Sequence, residues 1–83
     1  MDSFELEIIK PTKKTVLNVE WVDAKSPSGN FFIGPKHSDL ISILKEKSPL
    51  TYKKVDSIEP ESINIYGGYL KIENGKVLVV LDL

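Results

Sequence analysis

Apolar and polar residues alternate through most of this chain. Phe4, Leu6 and Ile8 are separated by Glu5 and Glu7, a period of two that predicts a strand with one buried and one wet face. Pro11 stops that strand or confines it to a sheet edge, and Thr12 to Lys14 read as a turn. Val16 to Lys25 predict a longer strand, with Leu17, Val19 and Trp21 on one face and Val16, Asn18, Glu20 and Val22 on the other. Trp21, the only tryptophan, is expected as a core anchor whose indole N–H finds a partner. Ser26-Pro27-Ser28-Gly29 is a turn by composition. Asn30 to Ile33 then form a short strand, broken by Gly34-Pro35.

The period changes next. Leu40, Ile43 and Leu44 stand at i, i+3 and i+4, which predicts a short helical turn packed on the core and capped by His37 or Ser38. Lys45 to Pro49 read as a solvated connection. Further strands are expected over Leu50 to Val55, from Ile63 and Ile65, over Tyr69 to Glu73, and over Lys76 to Leu83. Asp56 to Ser62 form an exposed loop between the first two. Gly67-Gly68 reads as a sharp turn or bulge in preference to a ligand contact. Asn74-Gly75 is the strongest hairpin signal, a type I′ pair. Val77, Val79 and Leu81 on one face, with Leu78 and Val80 on the other, imply burial on both sides. About seven short strands and one helical turn predict an all-β sandwich or barrel.

Composition narrows the function more than the fold. Eighty-three residues make one small domain, which buries only about two-thirds of its unfolded surface. There is no cysteine and one histidine, so neither disulfides nor a thiolate metal site can support the core, and zinc would have to rely on carboxylates. The net charge is −1 and all eleven basic residues are lysine. Without arginine or a basic excess, nucleic-acid binding is disfavoured. The longest apolar run, Val77 to Leu81, is far short of the roughly 20 residues a bilayer requires. The acidic, alternating N-terminus does not read as a signal peptide.

Catalytic templates find no match. His37 and Ser38 are adjacent, but nucleophilic catalysis needs a serine, a base and an orienting group brought together in space. Gly67-Gly68 leads to Tyr69 and not to the lysine end of a phosphate-binding loop. His37 with Asp39 is a metal site only if a distant acid joins them; a surface histidine and a capping aspartate explain the pair more simply. The residues therefore describe a binding or assembly module. Gly29 to Leu44, with its two phenylalanines, histidine, glycines and proline, is the expected working surface.

At this point the chain resembles a known family, the N-terminal β-sandwich domain of the epsilon subunit of F-type ATP synthases. The family's G-E-x-G-[IV]-x-P-G-H-A-P-L-[LV]-T-x-[LI] is similar to the stretch from Gly29, where Gly29, Ile33, Pro35, His37, Leu40, Ile41 and Leu44 fit without gaps. Its S-G-G-[FIY]-[LV]-E-[VI] and V-T-V-L-A-D resemble Tyr66 to Ile72 and then Val77, Val79 and Asp82. The opening F-x-L-x-I-[IV]-x-P resembles Phe4 to Pro11. Asn30 stands where the family has an acid, Phe32 and Lys36 where it has glycines, and Asp39 where it has proline.

The resemblance implies a ten-stranded, two-sheet sandwich that performs no chemistry and holds no metal or cofactor. It implies a seat at the foot of the central stalk, against the gamma subunit and the polar loops of the membrane rotor ring, coupling ion transport to ATP synthesis. That seat is peripheral, on the cytoplasmic face of the bacterial inner membrane or an equivalent coupling membrane. Asn30 and His37, with neighbours Phe31, Phe32 and Lys36, are then the partner-facing residues. Residues 1–83 are expected to form the single sandwich domain, without the C-terminal helical hairpin that follows it in most members. Two other readings stand beside this one. A stand-alone module for a peptide or glycan would place Tyr66, Tyr69 and Phe31 on one exposed face; a small metal-dependent enzyme would use His37 and carboxylates.

Overall fold

A computed structural model describes residues 2–82, and every regular element among them is a strand. In chain order these are β1 (Phe4–Lys10), β2 (Lys13–Ser26), β3 (Gly29–Ile33), β4 (Leu40–Leu44), β5 (Ser48–Lys54), β6 (Glu61–Ile65), β7 (Gly68–Glu73) and β8 (Lys76–Leu81). Neighbours pair in the order β4-β7-β8-β1-β2-β5-β6, with β3 added to β2. The pairing is antiparallel except between β1 and β8, which run parallel with Leu6 opposite Val77 and Ile8 opposite Val79.

The long strand β2 makes the sheet into two layers. Its first half, Lys13 to Val19, pairs with β1. Its second half is flanked on both edges, Val22 to Ser26 by β3 and Val19 to Asp23 by β5. The sheet curls about β2, so that β4, β7, β8 and β1 form one layer and β3, β5 and β6 belong to the other. Leu6, Val22, Ile33, Leu50, Leu70 and Val79 are fully buried between them in one cluster. Each such side chain contributes about 1.5–3 kcal/mol relative to exposure. The all-β sandwich expected from the sequence is what forms, with eight strands where alternation suggested about seven and the family resemblance ten.

A β-bulge in β2 decides which residues reach the core. Val19 lies opposite Lys54 and Trp21 opposite Lys53, so Glu20 is one residue too many. The extra residue shifts the inward set by one position: Val19 is buried, and after it Val22 and Ala24. Trp21 is therefore not the core anchor that unbroken alternation predicts. It is half-buried on the outer face. The bulge is held by Lys53, whose Nζ is 3.3 Å from the Glu20 carboxylate and donates to the Ser57 carbonyl at 2.7 Å.

Leu40 to Leu44 also correct the sequence reading: they are strand β4 and not a helical turn. Four of the five residues are apolar, so they satisfy either period. Five residues are too few to sustain helix nucleation, and two β-branched isoleucines favour the extended form. Pairing with β7 settles the matter. Leu44 enters the core, while Ile41 and Ile43 stay 71% and 70% exposed. Leu78 and Val80 of β8 are only half-buried, so the burial expected on both faces of that strand is incomplete. The strand expected from the sequence extends to Leu83, which lies outside the described residues.

Two turns match their chemistry closely. Asn74 and Gly75 have φ of 52° and 76°, the left-handed pair of a type I′ hairpin, closing Glu73 against Lys76. The β4–β5 connection places Lys47 at φ 54°, and the buried Ser48 hydroxyl donates to the Lys45 carbonyl at 2.6 Å.

Candidate functional site

The stretch that stood out in the sequence begins on β3. Its hairpin with β2 turns at Pro27-Ser28, where the Ser26 hydroxyl donates to the Gly29 carbonyl at 2.8 Å. Alternation then divides the strand. Phe31 and Ile33 lie opposite Ala24 and Val22 and face the core, whereas Asn30 and Phe32 lie opposite Lys25 and Asp23 on the outer face. Phe32 is 59% exposed. It is not isolated, because the bulge has turned Trp21 to the same side, and the two ring centroids are 5.4 Å apart with planes tilted by 33°.

Gly34 to Asp39 carry the chain from β3 to β4. Lys36 adopts a left-handed backbone, φ 60°, a conformation costing an L-residue about 1–2 kcal/mol. His37 is half-buried, with Nδ1 2.8 Å from the Ser38 carbonyl oxygen. A carbonyl only accepts, so Nδ1 is the donor of this bond. Asp39 Oδ1 accepts the Asn74 backbone N–H at 3.1 Å, tying the connection to the β7–β8 turn.

The five residues singled out in the sequence thus divide. Asn30 and Phe32 share the outer face with Trp21, Lys36 and His37 lie in the turn beyond, and Phe31 points inward. The exposed trio Tyr66, Tyr69 and Phe31 does not form, because Phe31 packs against the core. Among the described residues no group of three histidine, aspartate or glutamate side chains is placed to hold a metal. The surface offers aromatic area, an amide and one imidazole, which suits recognition of a partner.

A second surface was missed. Ile43 lies opposite Tyr69, Tyr69 opposite Val80, and Val80 opposite Ile9. This row crosses four strands on the outer face of the β4–β7–β8–β1 layer, with Ile41 beside it. Tyr66, 67% exposed, stands just before β7. The signal was present in Leu40-Ile41-Ser42-Ile43-Leu44, had those residues been read with a period of two. Gly68 supports the layer from within: a Cβ there would collide with the Val80 carbonyl oxygen.

Residues 3–82 match the family described as ATP synthase, Delta/Epsilon chain, beta-sandwich domain. The chain belongs to this family. Relatives named ATP synthase epsilon chain include one from Myxococcus xanthus, 33% identical over 84 residues, and one from Campylobacter curvus, 34% identical over 83 residues. Each alignment covers 99% of this chain, but only 59% and 63% of those epsilon chains. The chain thus spans about three-fifths of the length of these relatives. The sandwich also superimposes on a chain in the central stalk/c-ring structure of the Tetrahymena thermophila mitochondrial ATP synthase, with a TM-score of 0.83 at 15% identity, covering 99% of this chain and 65% of that one. A chain of the Euglena gracilis mitochondrial ATP synthase gives 0.85 at 13% identity, with 95% and 50% covered. These two likenesses show the sandwich fold alone. Among the described residues no helix is long and apolar enough to cross a membrane.

Proposed function

We propose that this chain is a non-catalytic central-stalk subunit of an F-type ATP synthase, joining the gamma subunit to the membrane rotor ring so that ion-driven rotation turns the stalk. The observation that carries this reading is the match to the delta/epsilon sandwich family over residues 3–82. In this reading the sandwich itself is the coupling unit. Asn30, Phe32, Lys36 and His37 meet the partners, and Phe31 anchors their strand from inside. The chain sits peripherally on the cytoplasmic face of the bacterial inner membrane or an equivalent coupling membrane.

The test is capture of gamma and ring subunits on the tagged chain from solubilised membranes, together with ATP-driven ion pumping. Wild type is expected to retain both partners. Phe32→Asp with His37→Ala is expected to reduce capture and pumping together. If wild type captures neither subunit and the double variant pumps normally, the assignment is wrong.

A further inference from the structure

The β7–β8 turn sets an asparagine directly before a glycine, the neighbour with which an asparagine side chain reacts most readily. We infer that Asn74 is a site of spontaneous deamidation, and that the folded turn, with Asp39 bound to it, holds the reaction off. The inference rests on the chemistry of the Asn74-Gly75 pair and the geometry of its turn. It is independent of the stalk reading.

The reaction needs only water and a base. The Gly75 nitrogen gives up its proton to a base in solution and bonds to Asn74 Cγ. The Cγ–N bond of the side-chain amide breaks and ammonia leaves, so that a five-membered succinimide joins the two residues. Water then opens the ring. Addition at Cγ restores the ordinary peptide link and yields aspartate. Addition at the main-chain carbonyl yields isoaspartate, with the chain routed through the side chain. Nothing is oxidised or reduced.

A side chain on the attacking residue hinders ring closure, and glycine has none. The asparagines stand at 18, 30, 64 and 74, followed by Val19, Phe31, Ile65 and Gly75, so one of them has this neighbour. Asn74 is exposed. Nothing lies within 4 Å of the place a Cβ on Gly75 would take, so base and water reach the turn.

The native turn keeps the reacting atoms apart. Asn74 and Gly75, at φ 52° and 76°, form a type I′ pair, in which the first residue has ψ of about +30°. Cβ stands about 120° from the main-chain nitrogen around the Cα–C bond, so the Gly75 nitrogen lies about 150° from Cβ and faces away from Cγ. Ring closure needs the two eclipsed. Turning Asn74 that far parts Glu73 from Lys76, the pair that closes the hairpin. It also pulls on the Asn74 N–H, which donates to Asp39 Oδ1 at 3.1 Å. The turn must therefore open before it reacts, a local event that costs less than unfolding.

Conversion is irreversible, and both products weaken the tie to Asp39. Isoaspartate lengthens the main chain by a methylene, for which a two-residue hairpin has no room. Aspartate keeps the backbone but sets a new carboxylate beside those of Glu73 and Asp39, where like charges repel. Asp39 ends the connection that carries Lys36 and His37, so this connection is released at that end.

The purified chain is incubated in mildly alkaline buffer, folded and in urea, and peptide mass spectrometry follows the loss of amide at each asparagine. In the folded chain Asn74 is expected to react ahead of Asn18, Asn30 and Asn64, and at least about tenfold more slowly than in urea. Asp39→Ala is expected to speed the folded reaction about threefold to tenfold, and Asp39→Asn, which keeps an acceptor, to return it toward the wild-type rate. Ile65→Val, which weakens the buried core at β6, separates local opening from global unfolding and is expected to leave the rate unchanged. The converted chain is expected to show a shifted NMR signal from the ring of His37, the sole histidine. Equal rates folded and in urea, earlier loss at another asparagine, an Asp39→Ala rate no faster than wild type or matched by Ile65→Val, or an unmoved His37 signal overturns the inference.

Discussion

The rings of Trp21 and Phe32 lie against each other on the outer face of the β2–β3 hairpin, centroids 5.4 Å apart. Neither β2 nor β3 alone produces this contact. The extra residue at Glu20 brings Trp21 round to the side that Phe32 already occupies. Such a pair is worth about 0.5–1.5 kcal/mol beyond the area it covers. Phe32→Ala is expected to lower stability by about 1–2 kcal/mol and to shift the fluorescence of the single tryptophan to the red as water reaches the indole. An unchanged emission maximum would mean that the rings do not stay together in solution.

Gly68 and Gly34 should respond oppositely to a methyl group. At Gly68, with φ 141°, a Cβ meets the Val80 carbonyl oxygen, so the β7–β8 ladder must part. Gly68→Ala is expected to cost about 2–4 kcal/mol. At Gly34 a Cβ meets nothing within 4 Å, and alanine there is expected to be neutral or to stabilise by up to about 1 kcal/mol by restricting the unfolded chain. Urea titration of the two variants gives the comparison directly; equal effects would contradict it.

Lys36 holds φ at 60°, where glycine is at no steric disadvantage. Lys36→Gly is expected to raise stability by about 0.5–1 kcal/mol, relief of backbone strain outweighing the added freedom of the unfolded state. A lower thermal midpoint would show that the left-handed turn carries no strain.

The β5–β6 pair should weaken in alkali. Burial, then the neighbouring Glu61 carboxylate, pushes the Tyr52 hydroxyl above its ordinary value. Lys54, whose Nζ lies 2.9 Å from Glu61, is also held up by that hydrogen bond and charge. Both groups bind protons more tightly folded than unfolded. Their contribution is therefore complete below the unfolded values, about 10 for tyrosine and 10.4 for lysine, and is lost as pH rises through the folded ones. The urea midpoint is expected to fall above about pH 10, and Tyr52→Phe should flatten that fall. A wild-type midpoint constant up to pH 11 would contradict this; the pH 11 limit is roughly one unit above the ordinary tyrosine value.

The strands were legible because most carry one apolar face. Phe4-Leu6-Ile8 and Val77-Val79-Leu81 announce their burial, and Asn74-Gly75 announces its turn. Two features were hidden for different reasons. The bulge at Glu20 exists only against β5, and no local pattern marks a slip of one residue between strands distant in sequence. β4 is apolar at four of five positions, so its composition suits helix and strand alike, and only pairing with β7 decides. Within the candidate site, alternation showed that Phe31 and Phe32 face opposite ways. It did not show which one faces out, since that depends on the register of Asp23 against Phe32.

The parallel alignment of Leu6 with Val77 also sets an order of assembly. The hairpins β1–β2, β2–β3 and β7–β8 can each form soon after their residues leave the ribosome. β1 cannot acquire its second neighbour until β8 has been made, about seventy residues later. During synthesis the apolar side of Leu6 and Ile8 must wait for Val77 and Val79, a period in which a partly built sheet is open to wrong contacts. Pairings this distant in sequence belong to the millisecond-to-second class of folding. The slow step in forming this sandwich is therefore the joining of β1 to β8.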